Sequence, residues 1–251
     1  MASTVERFTT RVANYVKYRP NYPPEVLRFL QKELNLQAGS VIADVGSGTG
    51  ISTKIFLENG NPVYGVEPNA AMRAAAEEFL KDFPNFKSVD GTSENTTLGE
   101  RSIDFVTAAQ AFHWFEPEKT RAEFKRILKP EGFVVLIWNE RRIETNEFLR
   151  EYEKFLLEFG TDYAKVRHDY LPKEKLGAFF TGGFQTASFE NSQIFDFEGL
   201  KGRVLSSSYM PGEIDARYAE MTKSLSGIFT KHQENDRITV LYDTNVYYGK
   251  L

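Results

Sequence analysis

The 251-residue chain contains no cysteine. That excludes a disulfide framework, a thiolate zinc site and a cysteine nucleophile. Histidine is nearly as scarce: His113, His168 and His232 are scattered without metal-ligand spacing, so no metal site is expected. Both His168 and His232 are read as surface residues. A charge surplus of one sign is missing too, with 31 Lys and Arg against 35 Asp and Glu, a net charge of −4 and a pI near 5.6. The chain therefore lacks the clustered positive surface that nucleic acid or an anionic membrane would demand. Small or zwitterionic partners fit better. No apolar run approaches the ~20 residues of a membrane span, and the first residues have no apolar signal core. A cytoplasmic protein without membrane or nucleic-acid partners is the expectation. Internal repeats and low-complexity stretches are likewise absent.

The chain is well supplied with core-forming residues, 41% of it hydrophobic, with 21 Phe and 12 Tyr. Its most informative stretch is Val41-Ile42-Ala43-Asp44-Val45-Gly46-Ser47-Gly48-Thr49-Gly50. Val41, Ile42 and Val45 have the β-branched, apolar character of a buried parallel strand. Glycines at every second position then let the backbone turn tightly and approach a ligand that side chains would exclude. Helical spacing begins at Ile51, which places the glycines between a strand and a helix N-terminus. Glu67 closes the next apolar run, where a carboxylate can accept hydrogen bonds from both hydroxyls of a ribose. A dinucleotide site uses the spacing G-x-G-x-x-G. Here the spacing is G-x-G-x-G, with Ile51 where that third glycine would fall.

Strands are expected over Val41–Val45, Pro62–Val66, Phe86–Val89, Ile103–Ala109 and Phe133–Trp138. Helices are expected over Ile51–Glu58, Ala70–Leu80 (N-capped by Asn69) and Thr120–Leu128, preceded by one that begins near Pro24. Lys129-Pro130-Glu131-Gly132 reads as a turn. This alternation implies crossovers and a parallel sheet. Beyond Trp138 it breaks down: a helix over Phe148–Phe159, a mixed loop to Pro172, a strand over Phe184–Phe197, helices over Gly199–Ser207 and Pro211–Lys231, and a last strand over Arg237–Tyr248.

Asp44 two residues before Gly46, the G-x-G-x-G triplet and the acid ending strand two together resemble the first motif of class I S-adenosylmethionine-dependent methyltransferases. Leu128-Lys129-Pro130-x-Gly132 before strand five resembles a motif common throughout that class. Tyr18-Arg19-Pro20-x-Tyr22-Pro23, Gln110-Ala111-Phe112-His113-Trp114-Phe115 and Ser206-Ser207-Ser208-Tyr209-x-Pro211 resemble motifs of a small-molecule group within it, which includes trans-aconitate methyltransferase-like proteins. The resemblance implies an α/β fold: a Rossmann-like, seven-stranded, mostly parallel sheet with helices on both faces and a mostly helical late-chain cap. It implies one methyltransferase domain over 1–251, with a cofactor-binding core over 36–139, a substrate-side elaboration over 140–235 and a final strand over 237–248. The implied activity is methyl transfer from S-adenosylmethionine to a small-molecule acceptor, at hydroxyl or carboxylate oxygen. The alternatives are an RNA- or protein-directed methyltransferase, a non-catalytic S-adenosylmethionine-binding protein and a nicotinamide-dependent oxidoreductase.

Residue roles follow from position under that resemblance. Gly46, Gly48 and Gly50 admit the cofactor, Asp44 fixes their loop or contacts the amino-acid portion, and Glu67 binds the ribose. Met72 flanks the adenine or is an ordinary core methionine. Ser93 and Glu94 stand in the loop that lines the adenine, against the reading of Glu94 as merely solvated. Gln110 ends strand four, where parallel sheets present ligand groups. Tyr18 and Arg19 fold over the cofactor carboxylate or form a packed surface strap. His113 shapes a pocket wall in preference to serving as the base for a hydroxyl.

Overall fold

The structure is a computed structural model and describes residues 17–163, 171 and 173–251; His168 and Pro172 lie outside them. In chain order its elements are α1 (Pro24–Leu34), β1 (Ile42–Val45), α2 (Ile51–Glu58), β2 (Val63–Val66), α3 (Ala70–Phe79), β3 (Phe86–Val89), β4 (Ile103–Ala109), a 3₁₀ turn (Phe112–Trp114), α4 (Pro117–Ile127), β5 (Leu128–Arg141), α5 (Glu147–Phe159), α6 (Lys173–Phe179), β6 (Gln185–Phe195), α7 (Phe197–Leu205), α8 (Tyr218–His232) and β7 (Ile238–Gly249).

The strands form one seven-stranded sheet in the order β3-β2-β1-β4-β5-β7-β6. The pairs β1–β2, β1–β4, β2–β3 and β4–β5 are parallel. Parallel pairing needs crossovers, and α2, α3 and α4 supply them. The order reverses beside β1, whose neighbours are β2 and β4. In open α/β sheets that switch point, at the carboxyl ends of the strands, is where ligands bind.

The chain divides into two compact units. The first comprises Met1–Pro20, Glu140–Asp169 and Glu190–Asp243, and the second Asn21–Asn139, Tyr170–Phe189 and Thr244–Leu251. In the second unit, side chains alternate between two cores because successive strand residues point to opposite faces. Val134, Leu136 and Trp138 join Phe124, Ile127, Leu176 and Phe179 on one face. Val135 and Ile137 join Val26, Leu30 and Phe56 on the other. Helices therefore cover both faces, and each fully buried Val, Leu or Ile contributes roughly 1.5–3 kcal/mol. The first unit has its own core, in which Leu149, Tyr152 and Phe155 of α5 pack with Leu200, Val204, Met221, Leu225 and Tyr242.

Several local expectations hold. α2 and β3 have the expected bounds, and the Asn69 side chain caps α3 by accepting from the amides of Ala71 and Met72. Others are corrected. Lys129–Gly132 is no turn but a bulge inside β5: Ile103 pairs with Leu128 and Phe105 with Phe133, so the four residues bulge opposite Asp104 alone. Lys129 Nζ is held there by both carboxylate oxygens of Asp104, at 2.9 and 2.8 Å. α8 starts at Tyr218 rather than Pro211, because two successive backbone turns precede it, in which the amide of Asp215 donates to the Gly212 carbonyl and that of Tyr218 to the Asp215 carbonyl. α6 occupies the stretch between the expected mixed loop and the expected strand, for which no element was foreseen. His232 is no surface residue: its side chain is 11% exposed and lies 2.9 Å from a carboxylate oxygen of Glu151.

Candidate active site

β1 runs straight into the glycine loop. Gly46, Gly48 and Gly50 have φ of 70°, 56° and 86°, the left-handed region that a Cβ disfavours. The three glycines serve different purposes. A Cβ on Gly46 would fall 2.5 Å from the Ala111 Cβ, and one on Gly50 would fall 2.6 Å from Leu80 Cδ1. Those two let the loop pack against its own protein. A Cβ on Gly48 would meet only Met72 Sδ, at an ordinary 3.7 Å. Gly48 is thus bare on a side that the protein does not fill.

Backbone and carboxylate hydrogen bonds fix this loop. The amides of Gly46 and Ser47 donate to the Val66 carbonyl at 2.8 and 3.2 Å. The amide of Gly48 donates to Glu67 Oε2 at 3.0 Å, and Asn69 N to Glu67 Oε1 at 2.9 Å. Each carboxylate oxygen retains a further lone pair for a ligand hydroxyl. Burial pushes the Glu67 carboxyl above the usual range, opposed by those two amides and the Arg73 charge. Arg73 donates to the Glu67 carbonyl at 2.7 Å and grips Asp90 with two bonds of 3.0 and 2.9 Å. It thereby ties the ends of β2 and β3 together. Nothing in the sequence reading singled out Arg73; its place one turn beyond the capping Asn69 was the available signal.

Asp44 is fully buried and accepts from Ser52 and Thr53, each at 2.7 Å, and from Thr107 at 2.9 Å. Of its two expected roles, this geometry matches the first: it pins the start of α2 and β4 to the turn. Burial raises its pKa, and the three hydroxyls work against that rise. Met72 is buried beneath Gly48, so its core role and its place beside the loop coincide.

Ser93 is buried and donates to Glu94 Oε1 at 2.8 Å, while Thr120 Oγ1 donates to Ser93 Oγ at 3.1 Å. Glu94 is half-buried, not a freely solvated loop residue. Burial pushes its carboxyl up, but bonds from Ser93, its own backbone, Thr92 and the Glu116 amide outweigh that and hold it below the usual range. Glu123, missed in the sequence, anchors the same loop. It accepts from Thr96 N at 2.8 Å, from Thr96 Oγ1 at 2.5 Å, and from Arg126 Nε and Nη2 at 2.7 Å each.

Gln110 caps β4 with φ of 57°, a left-handed conformation at a non-glycine residue. Such backbone concentrates at functional sites. Its side-chain amide donates to the Asn139 carbonyl at 2.9 Å, and Thr244 Oγ1 donates to Asn139 Oδ1 at 2.5 Å. His113 follows in the 3₁₀ turn, with its ring 4.3 Å from that of Trp114 and 5.2 Å from that of Trp138. Its carbonyl accepts from Lys175 Nζ at 2.9 Å.

The second unit therefore holds all the expected site residues except two. Tyr18 and Arg19 belong to the first, where Arg19 donates to the Ser206 carbonyl at 3.2 Å and the Tyr18 carbonyl accepts from Gln193 at 3.2 Å. Among the described residues no group of three or more His, Cys, Asp or Glu could hold a metal ion, and no helix is long and apolar enough to cross a membrane.

Residues 43–136 match the family model of the methyltransferase domain. An uncharacterized methyltransferase of Schizosaccharomyces pombe is 33% identical over 53% of this chain and 53% of its own length. The match thus spans about half of that relative. A second, methyltransferase-like protein of the same yeast is 28% identical over 97% of this chain and 94% of its own. A putative type II methyltransferase from Anaeromyxobacter dehalogenans superimposes with a TM-score of 0.66 at 20% identity, covering 93% of this chain and 98% of that one. A methyltransferase from Geobacter sulfurreducens, solved with S-adenosyl-L-homocysteine, gives 0.53 at 18% identity over 97% and 96% of the two chains. These structures share the fold. The stretch that is similar to the methyltransferase domain, residues 43–136, includes the whole glycine loop.

Proposed function

We propose that the chain transfers a methyl group from S-adenosylmethionine to an oxygen atom, hydroxyl or carboxylate, of a small molecule. The observation that carries the reading is Gly48: it is left-handed, held by Glu67, and open where a side chain would otherwise stand. When bound, the cofactor supplies a methyl group on a sulfonium whose leaving group is a neutral thioether. The chain's residues do the holding. The Gly46–Gly50 backbone admits the cofactor, Glu67 accepts from its ribose hydroxyls, Met72 lies against it, and Ser93, Glu94 and Gln110 complete the rim. An acceptor atom must be held about 3–3.5 Å from the methyl carbon and in line with its bond. His113, packed between two indoles, shapes a wall. Trans-aconitate-like acceptors, the subgroup that the sequence motifs resemble, fall within the proposed carboxylate class. The absence of a basic surplus supports a small acceptor over RNA.

The test is Gly48→Val. Its Cβ meets only Met72, so the variant is expected to melt cooperatively, a few degrees lower because of the positive φ, and to lose S-adenosylhomocysteine binding by calorimetry. Parental affinity in the folded variant would remove the loop from the site.

A further inference from the structure

The late motif Ser206-Ser207-Ser208-Tyr209 has no part in the domain described above, and the first unit explains its position. Arg203, on α7, donates from Nη1 to Ser206 Oγ at 3.4 Å and to Ser207 Oγ at 3.3 Å. Ser206 Oγ donates in turn to the Arg203 carbonyl at 2.7 Å. Both serines are 1% exposed. The Arg203 Nε is buried and has no acceptor, and among the described residues no Asp or Glu pairs with this guanidinium.

Its surroundings are phenolic. Burial of the guanidinium is opposed by Tyr242, Tyr152 and Tyr209 around it, and the Tyr242 hydroxyl is also a hydrogen-bond partner. Burial pushes the Tyr152 phenol up to about 12, so that ring stays neutral and cancels no charge. Arg141 flanks the same ring, its guanidinium carbon 5.2 Å from the Tyr152 centroid. Arg141, however, is answered by the Glu153 carboxylate, with which it forms an ion pair. Arg203 has no such answer. A desolvated cation without a counter-charge costs the fold stability, and proteins ordinarily pair it. Arg203 and Tyr209 both keep some accessible surface, whereas Tyr152 and Tyr242 are buried. The residue that carries this charge therefore borders the surface beside aromatic rings.

We propose that Arg203, supported by Ser206 and Ser207, binds the carboxylate of a small ligand with an apolar body. The planar guanidinium fork matches two carboxylate oxygens, and tyrosine rings suit an apolar or aromatic frame. The inference concerns the first unit alone and stands without the methyltransferase reading.

Calorimetry with benzoate, and with benzamide as its uncharged counterpart, tests it in the full chain without a methyl donor. Benzoate is expected to bind at least about tenfold more tightly than benzamide, the scale of one charged hydrogen bond. Arg203→Gln should weaken benzoate by at least the same factor and leave benzamide unchanged. Arg142→Gln, which alters the ion pairs to Asp243 and Glu190, should bind as the parent does. Should Arg203→Gln not fold, Arg203→Lys keeps the charge without the fork and is expected to bind benzoate more weakly than the parent. Equal binding of benzoate and benzamide by the parent, no benzoate binding at all, or parental benzoate affinity in a folded Arg203 variant would each overturn the proposal. None of those results bears on methyl transfer.

Discussion

Glu67 serves two masters. Its oxygens already accept from the amides of Gly48 and Asn69, so the carboxylate shapes the glycine loop whether or not a ribose is present. Truncation should therefore cost more than a ribose contact alone. Glu67→Ala is expected to weaken S-adenosylhomocysteine by about 1.5–3 kcal/mol through lost bonds to a charged acceptor, and to lower the melting temperature as well. Ligand hydroxyls donate best to the ionised form, and burial raises this carboxyl's pKa. Affinity should accordingly begin to fall, as pH is lowered, at a higher pH than an exposed glutamate would give. Calorimetry at several pH values reads both effects. Unchanged affinity in the Ala variant would free Glu67 from the ribose.

At the scale of elements, Glu123 of α4 staples the loop after β3. Burial works to raise its pKa, but Arg126 and two bonds from Thr96 outweigh that and lower it to about 2. A carboxyl whose folded pKa is depressed contributes stability that is fully present above its unfolded pKa of about 4.3 and is lost as pH falls toward the folded value. Glu123→Gln is expected to cost on the order of 2–3 kcal/mol at pH 7 and to flatten the acid limb of stability between about pH 4.5 and 2. Urea titrations across that range check it; an acid limb as steep as the parent's would sever Glu123 from the loop.

Elements whose burial pattern is periodic and whose ends carry local signals were legible in the sequence. α2 and β3 fall where spacing placed them, and Asn69 caps as its side chain dictates. Where tertiary contacts decide, the sequence was mute. α6 hid because Lys173, Glu174 and Lys175 mask the buried pair Leu176 and Phe179, which pack on Phe112 and Phe124 from distant segments. The bulge in β5 reads locally as a Pro-Gly turn and becomes strand only through its partner Asp104. In the candidate site, glycines and the strand-end acid announced themselves by spacing. Arg73 and Glu123 did not, since an arginine or glutamate on an amphipathic helix looks the same whether it faces water or a loop.

At the scale of the whole molecule, the matched segment is not a free-standing body. Leu171, Leu176, Phe179, Phe180 and Val246 are buried in the cores of the second unit, yet all lie beyond residue 139. Removing them forfeits roughly 1.5–3 kcal/mol apiece, a sum comparable to the 5–15 kcal/mol by which a domain is stable. A fragment of residues 21–139 is expected to show no cooperative melting transition by circular dichroism. A sharp transition in that fragment would contradict the account. The unit boundaries also fall inside strands: β7 gives residues 238–243 to one unit and 244–249 to the other. A chain synthesised from its amino end leaves the ribosome in order, so neither unit holds all its segments until β7 has emerged. Both must wait for the same late stretch. Vectorial synthesis then offers this protein no head start, and its nascent chain has to be kept from aggregating until its long-range pairings can close.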